Sequence, residues 1–276
     1  MRIFSQNRPN INLALATRRF RVESLPRVSP DNRWRTEAMR SYAQPLLLWF
    51  TRGQGRITVA GVTHGFGPHH AVFLPSNTMH GYEMSGQVFG TAVYLPPDRS
   101  LNLPEEPLHL RFRDVQQQAE LSVMIENLQA ELQSNRPGKE RAMMAHAGLL
   151  AVWLDREAEE GNRQDLHPDA TRRLAAAYSA MVERDFKGGQ TINYFAAQLG
   201  VTPTHLTRCC KLACGRSASA LLADRIHFEA RRLLTETRRP VKDIAHELGF
   251  NSAAYFTRAF QKQTGITPTG FRKNAG

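Results

Sequence analysis

The sequence predicts an α+β multidomain protein with an N-terminal β-barrel, a helical segment after it and a C-terminal all-α domain. Residues 46–95 alternate β-branched and aromatic runs with glycines, Asp114 opens a helical period, and the chain after His167 is helical and repetitive. A chain of 276 residues is long enough for two domains. We expect the barrel to span 1–112, the helical segment 113–160 and the C-terminal domain 166–276.

The barrel prediction depends on short strands at close spacing. Glycine and proline separate the runs, so we expect each run to form its own strand. The predicted strands cover residues 46–51, 56–60, 71–74, 80–84 and 88–95.

The helical segment carries two apolar stripes, separated by the sequence NRPG at 135–138. This pattern predicts two antiparallel helices. The stripes either cover the barrel or form a dimer interface, and both interpretations stay open. The polar stretch 158–168 is the predicted linker. The stripes consist of Leu121, Ile125, Leu128 and Leu132, and of Met143, Ala147, Leu150 and Leu154.

Positive charge is concentrated in the C-terminal part. Residues 166–276 contain 17 Lys and Arg against 8 Asp and Glu, which gives +9 of the total net charge of +11. This asymmetry favours a polyanion as the partner of that part. The sequence shows neither an apolar run near the roughly 20 residues of a membrane helix nor a signal-peptide pattern at its start, so we expect a soluble, cytoplasmic protein without membrane contact.

An internal repeat dominates the C-terminal part. Residues 192–218 align with 241–268, and each copy contains a helix, a glycine and a second helix. Gly200 and Gly249 occupy the turns, because glycine enters the left-handed region without steric strain. Thr202 is the predicted N-cap of one second helix, and Asn251 or Ser252 of the other. This spacing is typical of two helix-turn-helix motifs. The helix between them carries the stripe Leu222, Ile226, Ala230 and Leu233.

The three cysteines lie within this repeat. Cys210 aligns with Phe260, and a position that accepts phenylalanine faces a core. We therefore interpret Cys210 as a small apolar core residue. Cys209 and Cys214 lack the histidine and cysteine spacing of a zinc finger, although a metal or redox role remains the alternative interpretation.

The second helix of each motif has a polar face that is suited to DNA. An arginine can donate two parallel hydrogen bonds to O6 and N7 of guanine, and lysines nearby reach phosphates. A repeated Thr-Arg at one register makes this interpretation stronger than that of ordinary surface charge. The predicted DNA-binding residues are Thr204, Thr207, Arg208 and Lys211 in the first motif and Ala254, Tyr255, Arg258 and Lys262 in the second.

Residues 241–272, VKDIAHELGFNSAAYFTRAFQKQTGITPTGFR, strongly resemble the DNA-binding domain of AraC/XylS-type transcription regulators, and the resemblance extends over about 168–273. It implies that both recognition helices enter the major groove and that the residues above face the bases. The first motif departs from the family pattern at Cys210, where phenylalanine is common, and at Thr204, which is short for a base reader.

The N-terminal half resembles the cupin-like sensor domain of the same regulators through residues 55–82, which include the spacing from Pro75 to His80. Enzymatic cupins hold a metal with His-x-His and a glutamate, whereas this chain has His69, His70 and Glu83. We therefore expect a metal-free effector pocket without a cofactor. The resemblance suggests an aromatic acid as effector, held by an arginine. The candidate effector-binding residues are Trp49, Phe73, His80, Tyr82 and Tyr94.

Together these features predict a ligand-responsive, sequence-specific DNA-binding transcription regulator, not an enzyme. We expect a homodimer that binds promoter DNA, acts through RNA polymerase and is either an activator or a repressor. The main alternative is a cupin-type metal-dependent enzyme fused to a DNA-binding domain, which would need a stoichiometric ion at His69, His70 or His80. A third possibility is an architectural DNA-binding protein whose barrel only dimerises.

Overall fold

The protein is described by a computed structural model for residues 20–25, 34–159 and 169–275. The predicted linker at 158–168 therefore lies almost entirely outside the described residues. Six strands precede the long helices, in agreement with the predicted α+β class. The strands are β1 (Arg21–Ser24), β2 (Leu46–Val59), β3 (Val62–Phe66), β4 (His70–Leu74), β5 (His80–Tyr94) and β6 (Leu108–Arg111).

The helices of the described residues fall into one short N-terminal helix, a pair after the sheet, and a C-terminal group. The first is α1 (Trp34–Glu37), and the pair is α2 (Val115–Gln133) and α3 (Lys139–Glu159). The C-terminal group comprises α4 (Ala170–Asp185), α5 (Ile192–Gln198), α6 (Pro203–Cys214), α7 (Ala218–Glu236), α8 (Val241–Glu247), α9 (Ala253–Thr264) and α10 (Pro268–Ala275).

One antiparallel sheet joins all six strands in the order β1-β5-β2-β4-β6, with β3 also paired to β2. The long strands β2 and β5 are partners along most of their length. The first half of β2 also pairs with β4, whereas its second half pairs with β3. The shorter strands therefore attach to different parts of these two long strands.

Two of the predicted strand breaks are wrong. The predicted strands 46–51 and 56–60 fall in one strand, β2, which ends at Val59, and those at 80–84 and 88–95 fall in β5, which ends at Tyr94. A Cβ at Gly55 would stand 2.2 Å from the carbonyl oxygen of Glu83, and Gly53 has φ +91° where the register of β2 on β5 shifts. These glycines permit a bulge and a close backbone approach instead of ending the strand. The strands β1, β3 and β6 were not predicted.

The sheet buries both of its faces because successive side chains point to opposite sides. Leu47, Trp49 and Phe73 share a core with α2 and α3, whereas Leu48 and Phe50 belong to a second core. The helical stripes are buried in the first core, with Leu132 at its margin. They therefore cover the sheet, and the stripes themselves do not supply a dimer surface.

A third core joins the C-terminal helices. It contains side chains from both repeat copies, and Tyr178 in α4 donates a hydrogen bond to the carbonyl of Ala218 at 2.7 Å. Met39 and Met79 from the N-terminal region also belong to this core. The helices of both repeat copies thus share one hydrophobic core, to which the N-terminal region contributes two methionines.

Candidate nucleic-acid interface and barrel site

The second helix of each repeat copy begins at a predicted N-cap and ends at a glycine. The Thr202 hydroxyl accepts a hydrogen bond from the backbone N–H of His205 at 3.2 Å, and the Ser252 hydroxyl accepts one from Tyr255 at 3.1 Å. Both helices, α6 and α9, end at a glycine in the left-handed region. Such caps satisfy terminal backbone groups and fix where each helix starts and stops.

The two helices expose the residues that the sequence predicts for DNA contact. Their opposite sides are buried through Leu206 and Cys210 in α6 and through Phe256 and Phe260 in α9. An exposed polar helix face that carries arginine has the shape and chemistry for the major groove. Thr207 is half-buried, and the exposed members are Thr204, Arg208, Lys211, Ala254, Tyr255, Arg258 and Lys262.

Arg208 and Arg258 differ in their contacts within the protein. Arg208 Nη2 lies 3.2 Å from Nδ1 of His205 on the preceding turn. Within the described residues no hydrogen bond or ion pair holds Arg258. Arg208 thus has one local hydrogen-bond partner, and its other guanidinium N–H groups remain available as donors.

The cysteines belong to the inner side of α6. Cys210 is fully buried in the C-terminal core, and Phe260 occupies the matching place in the second copy, so the core interpretation of Cys210 is confirmed. Burial raises the pKa of the Cys210 thiol to about 12, which keeps it protonated at neutral pH. Among the described residues, no group of three or more His, Cys, Asp or Glu is arranged to hold a metal ion.

A buried arginine marks the inside of the barrel near β5. Arg40 is 2% exposed, and its Nη1 donates hydrogen bonds to the carbonyls of Thr36 and Ala38 at 2.5 and 3.3 Å. Its guanidinium lies 4.8 Å from the ring centroid of Tyr82. In the described part of the chain it makes no ion pair with a carboxylate, and its Nε has no partner. A buried guanidinium remains charged, and here backbone carbonyls and the ring of Tyr82 are the neighbours that face it.

His80 and aromatic side chains surround this arginine. The backbones of Arg40 and His80 exchange hydrogen bonds at 2.9 and 2.7 Å, and Tyr42 lies over both His80 and Tyr94 at centroid distances of 5.6 and 5.4 Å. Burial and the charge of Arg40 lower the pKa of His80 to about 3. Its Nδ1 donates to the carbonyl of Thr78 at 2.9 Å, so the unpartnered Nε2 is a free acceptor.

The predicted effector residues fall on opposite faces of the sheet. Tyr82 and Tyr94 belong to the inner core and lie with His80 near Arg40, whereas Trp49 and Phe73 pack towards α2 and α3. Phe73 also lines an open groove of about 880 Å³ between Pro45 and Glu105. The structure thus brings three of the five together. Arg40 and Tyr42 complete that group, and neither residue belongs to a periodic pattern or motif in the sequence.

The histidines required by the enzyme alternative contact different partners. His69 lies against Trp49 with a centroid distance of 6.1 Å, whereas Nδ1 of His70 lies 2.9 Å from Nε2 of His109. Burial lowers the pKa of His70 to about 4 and that of His109 to about 3, so both rings are neutral at physiological pH. His80 belongs to the arginine group described above.

Residues 34–42, here called the strap, connect the barrel site to the C-terminal helices. The ring of Trp34 packs against Phe228 of α7 and Phe271 of α10, each at a centroid distance of 5.9 Å. Ser41 donates a hydrogen bond to Glu183 at 2.5 Å, and Glu183 also pairs with Arg225 of α7 at 2.7 Å. Arg40 therefore belongs to a segment whose other residues contact α4, α7 and α10.

A second connection joins the barrel to the end of α6. Arg216 pairs with Glu83 of β5 at 3.3 Å and with Asp224 of α7. Cys214 and Gly215 line a cavity of about 200 Å³ together with Thr58 and Thr63 of the sheet. The first reading helix is therefore attached to the barrel at its C-terminal end.

Two family models match the chain. The AraC-like ligand binding domain matches residues 34–151, and a helix-turn-helix domain matches residues 195–274. No helix among the described residues is long and apolar enough to cross a membrane.

Several curated regulators share part of the sequence. The arabinose operon regulatory protein of Escherichia coli is 29% identical over 45% of this chain and 42% of its own length, and the virulence regulon transcriptional activator VirF of Yersinia enterocolitica is 30% identical over 47% and 44%. The alignments thus span less than half of either relative. A structure of ToxT from Vibrio cholerae with bound unsaturated fatty acid covers 92% of this chain and 94% of its own, with 14% identity and a TM-score of 0.46.

Proposed function

Because the chain belongs to the AraC-type transcription regulators, we propose that it regulates transcription by binding promoter DNA through α6 and α9 in response to a small molecule in its barrel. The observation that carries this proposal is the duplicated helix-turn-helix. Both copies have the same caps and both present an arginine outward. The net charge of +9 in residues 166–276 adds attraction to phosphates.

DNA reading is tested by selecting a binding duplex from a random DNA pool with the full chain. Affinity for that duplex should exceed affinity for unrelated DNA by about 10³-fold or more and should fall steeply with salt. Arg258→Ala should reduce the preference for the selected sequence, whereas Arg238→Ala, on the exposed turn before α8, serves as a charge-matched control. Equal binding of all duplexes by the wild type would refute sequence-specific reading.

For the effector we propose a hydroxylated aromatic acid bound at the barrel site. Arg40 supplies the charge for a carboxylate, and Nε2 of neutral His80 accepts a hydrogen bond from a hydroxyl. Tyr82 and Tyr94 supply aromatic surface. Tyr42 is only half-buried, so it is the side chain that can move to admit a ligand.

The effector proposal is tested by melting the full chain with 4-hydroxybenzoate, benzoate and benzyl alcohol. A ligand at 100 times its Kd stabilises the native state by about 2.7 kcal/mol. We expect the hydroxy acid to raise Tm most and the neutral alcohol least. Arg40→Met should remove the shift while Trp49→Phe, on the opposite face of the sheet, retains it. A shift that is retained in a folded Arg40→Met protein would contradict this assignment.

The strap is the proposed route from effector to DNA. Trp34→Ala removes its contact with α7 and α10 but leaves Arg40 and both reading helices in place. We expect this variant to bind both effector and DNA, with affinities that no longer depend on one another. Coupling equal to that of the wild type would show that the signal takes another route.

The remaining partners are proposals that depend on this function. We propose a homodimer, for which Val123, Leu149 and Val152 are exposed apolar side chains on α2 and α3. We also propose contact with RNA polymerase, action as an activator and a cytoplasmic location, where the template is found. Sedimentation of the wild type against Leu149→Glu tests the dimer, and transcription in vitro from the selected duplex tests the sign of regulation.

A further inference from the structure

The turns of the two helix-turn-helix motifs look equivalent in sequence but differ in their surroundings. Gly200 and Gly249 both follow the first helix of a motif, with φ of +67° and +76°. A Cβ on Gly200 would meet no atom of the described residues within 4 Å. A Cβ on Gly249 would stand 2.3 Å from the backbone nitrogen of Gly189 and 3.0 Å from the carbonyl oxygen of Lys187.

The partner of Gly249 is the turn that precedes the first motif. Gly189 follows the short 3-10 helix Phe186–Gly188 at the end of α4, and it has φ +66°. A Cβ on Gly189 would in turn stand 2.7 Å from the carbonyl oxygen of Gly249. Two backbones can approach this closely only where both residues lack a side chain.

Ion pairs hold the two turns together. Lys187 Nζ lies 2.7 Å from Glu247 of α8 and 3.6 Å from Glu229 of α7. Burial would raise the pKa of Glu229, but the hydrogen bond from Arg232 and nearby positive charges outweigh burial and lower it to about 2. Both carboxylates are therefore ionised at neutral pH, and the ammonium bridges the linker helix to the second motif.

We propose that this contact, here called the clasp and formed by Lys187, Gly189, Glu229, Glu247 and Gly249, fixes the angle and distance between the two reading helices. The linker helix α7 and the shared core join the two motifs, and the clasp adds an attachment from the α4 side. The added attachment restricts rotation of one motif about the other. The clasp would thereby set which spacing of half-sites the protein accepts, and this inference rests on the proposed reading of DNA by α6 and α9.

The dependence of DNA affinity on half-site spacing distinguishes this role of the clasp from a contribution to folding stability alone. One inserted base pair moves a half-site by about 3.4 Å along the duplex and rotates it by about 34°. A rigid reader loses the contacts of one helix on such DNA, and a mismatched contact weakens binding by about tenfold or more. The probe is the duplex selected with the full-length wild type, compared with the same duplex carrying one inserted base pair between its halves.

We expect the insertion to weaken wild-type binding by about tenfold or more. Gly200→Ala is the matched control, because it places a side chain in the same left-handed conformation without touching the clasp. It should keep the wild-type ratio of the two affinities, whereas Gly249→Ala should bring the ratio close to one. Lys187→Met, which keeps both glycines, should lower the ratio in the same direction.

A folded Gly249→Ala protein that keeps the wild-type ratio of the two affinities would overturn the clasp. An equal loss of that ratio in Gly200→Ala would also overturn it. If Gly249→Ala does not fold, an unchanged ratio in Lys187→Met overturns it. A wild type that is indifferent to the insertion would overturn the clasp together with the two-helix reading. If the wild type and the clasp variants all discriminate between the two duplexes equally well, the clasp proposal is wrong while reading by two helices still stands.

Discussion

The two helix-turn-helix motifs share their caps and their turn conformations, yet they pack against different parts of the protein. The first ends beside the barrel, where Arg216 pairs with Glu83 and Gly215 lines the cavity between the domains. The second packs through Gly249 against the turn at Gly189. A sequence repeat therefore duplicates local structure without duplicating tertiary contacts. The first motif contacts the sheet domain, whereas the second contacts the turn that precedes the first motif.

Substitutions at the matching core positions of the two motifs, Cys210 and Phe260, should have the largest and most different effects on the free energy of unfolding. Phe260→Ala leaves a large cavity and should lower the free energy of unfolding by about 3–5 kcal/mol, whereas Cys210→Ala trims one sulfur atom and should lower it by roughly 1–2 kcal/mol. Both side chains are fully buried. Chemical denaturation of the full chain measures the difference, and equal losses would mean that the two copies are not packed as the alignment implies.

The reading arginines should have similar effects on specificity. Arg258→Ala should leave folding intact and reduce discrimination at one base pair by about 1–3 kcal/mol. Arg208→Ala should do the same at a position about 34 Å away, one turn of the duplex. Affinities of each variant for duplexes substituted at every base pair show which position has lost discrimination. Loss at the same base pair for both variants would contradict reading by two separate helices.

The contacts that attach each motif to the rest of the protein should have different roles, and substitutions at these contacts test this. Glu83→Gln removes the pair with Arg216, and because the pair is partly exposed it should change the free energy of unfolding by no more than about 1 kcal/mol. We expect this variant to weaken the effect of ligand on DNA affinity. Glu247→Gln, the matched change at the second motif, should leave that effect intact. The reverse pattern would assign the signal to the second motif.

The smallest effects should come from the other two cysteines. Cys209→Ser and Cys214→Ser should leave DNA affinity under reducing conditions nearly unchanged, because neither thiol lies on the exposed reading face. Binding measured with and without reductant, and with added zinc, checks this. Affinity that follows oxidation or zinc while ignoring both arginines would restore the sensor interpretation of these residues.

Sequence reasoning located the local structure of the reader well. The caps at Thr202 and Ser252, the turns at Gly200 and Gly249 and the buried Cys210 are all found as expected. The barrel was less predictable. Gly53 and Gly55 suggested strand ends, although in β2 they serve a bulge and a close approach to β5.

Sequence reasoning was also less successful in identifying the residues of the barrel site. Tyr82 and Tyr94 join His80 beside Arg40, whereas Trp49 and Phe73, chosen from the same composition, pack on the other face. Aromatic content cannot distinguish these faces, since a shift of one residue in a strand reverses the side. Arg40 carries no pattern of its own, and only the tertiary structure reveals its burial without a carboxylate partner among the described residues.

The sequence by itself determined the α+β class, the repeat, the helix boundaries of the reader and the residues on its exposed faces, because caps, turns and helical periodicity act between residues only a few positions apart. Tertiary structure alone decided that Arg40 is buried among tyrosines, that the strap joins barrel to reader, and that Gly249 but not Gly200 meets a second backbone. Each of these depends on residues distant in the chain, whose proximity arises only when the whole core packs.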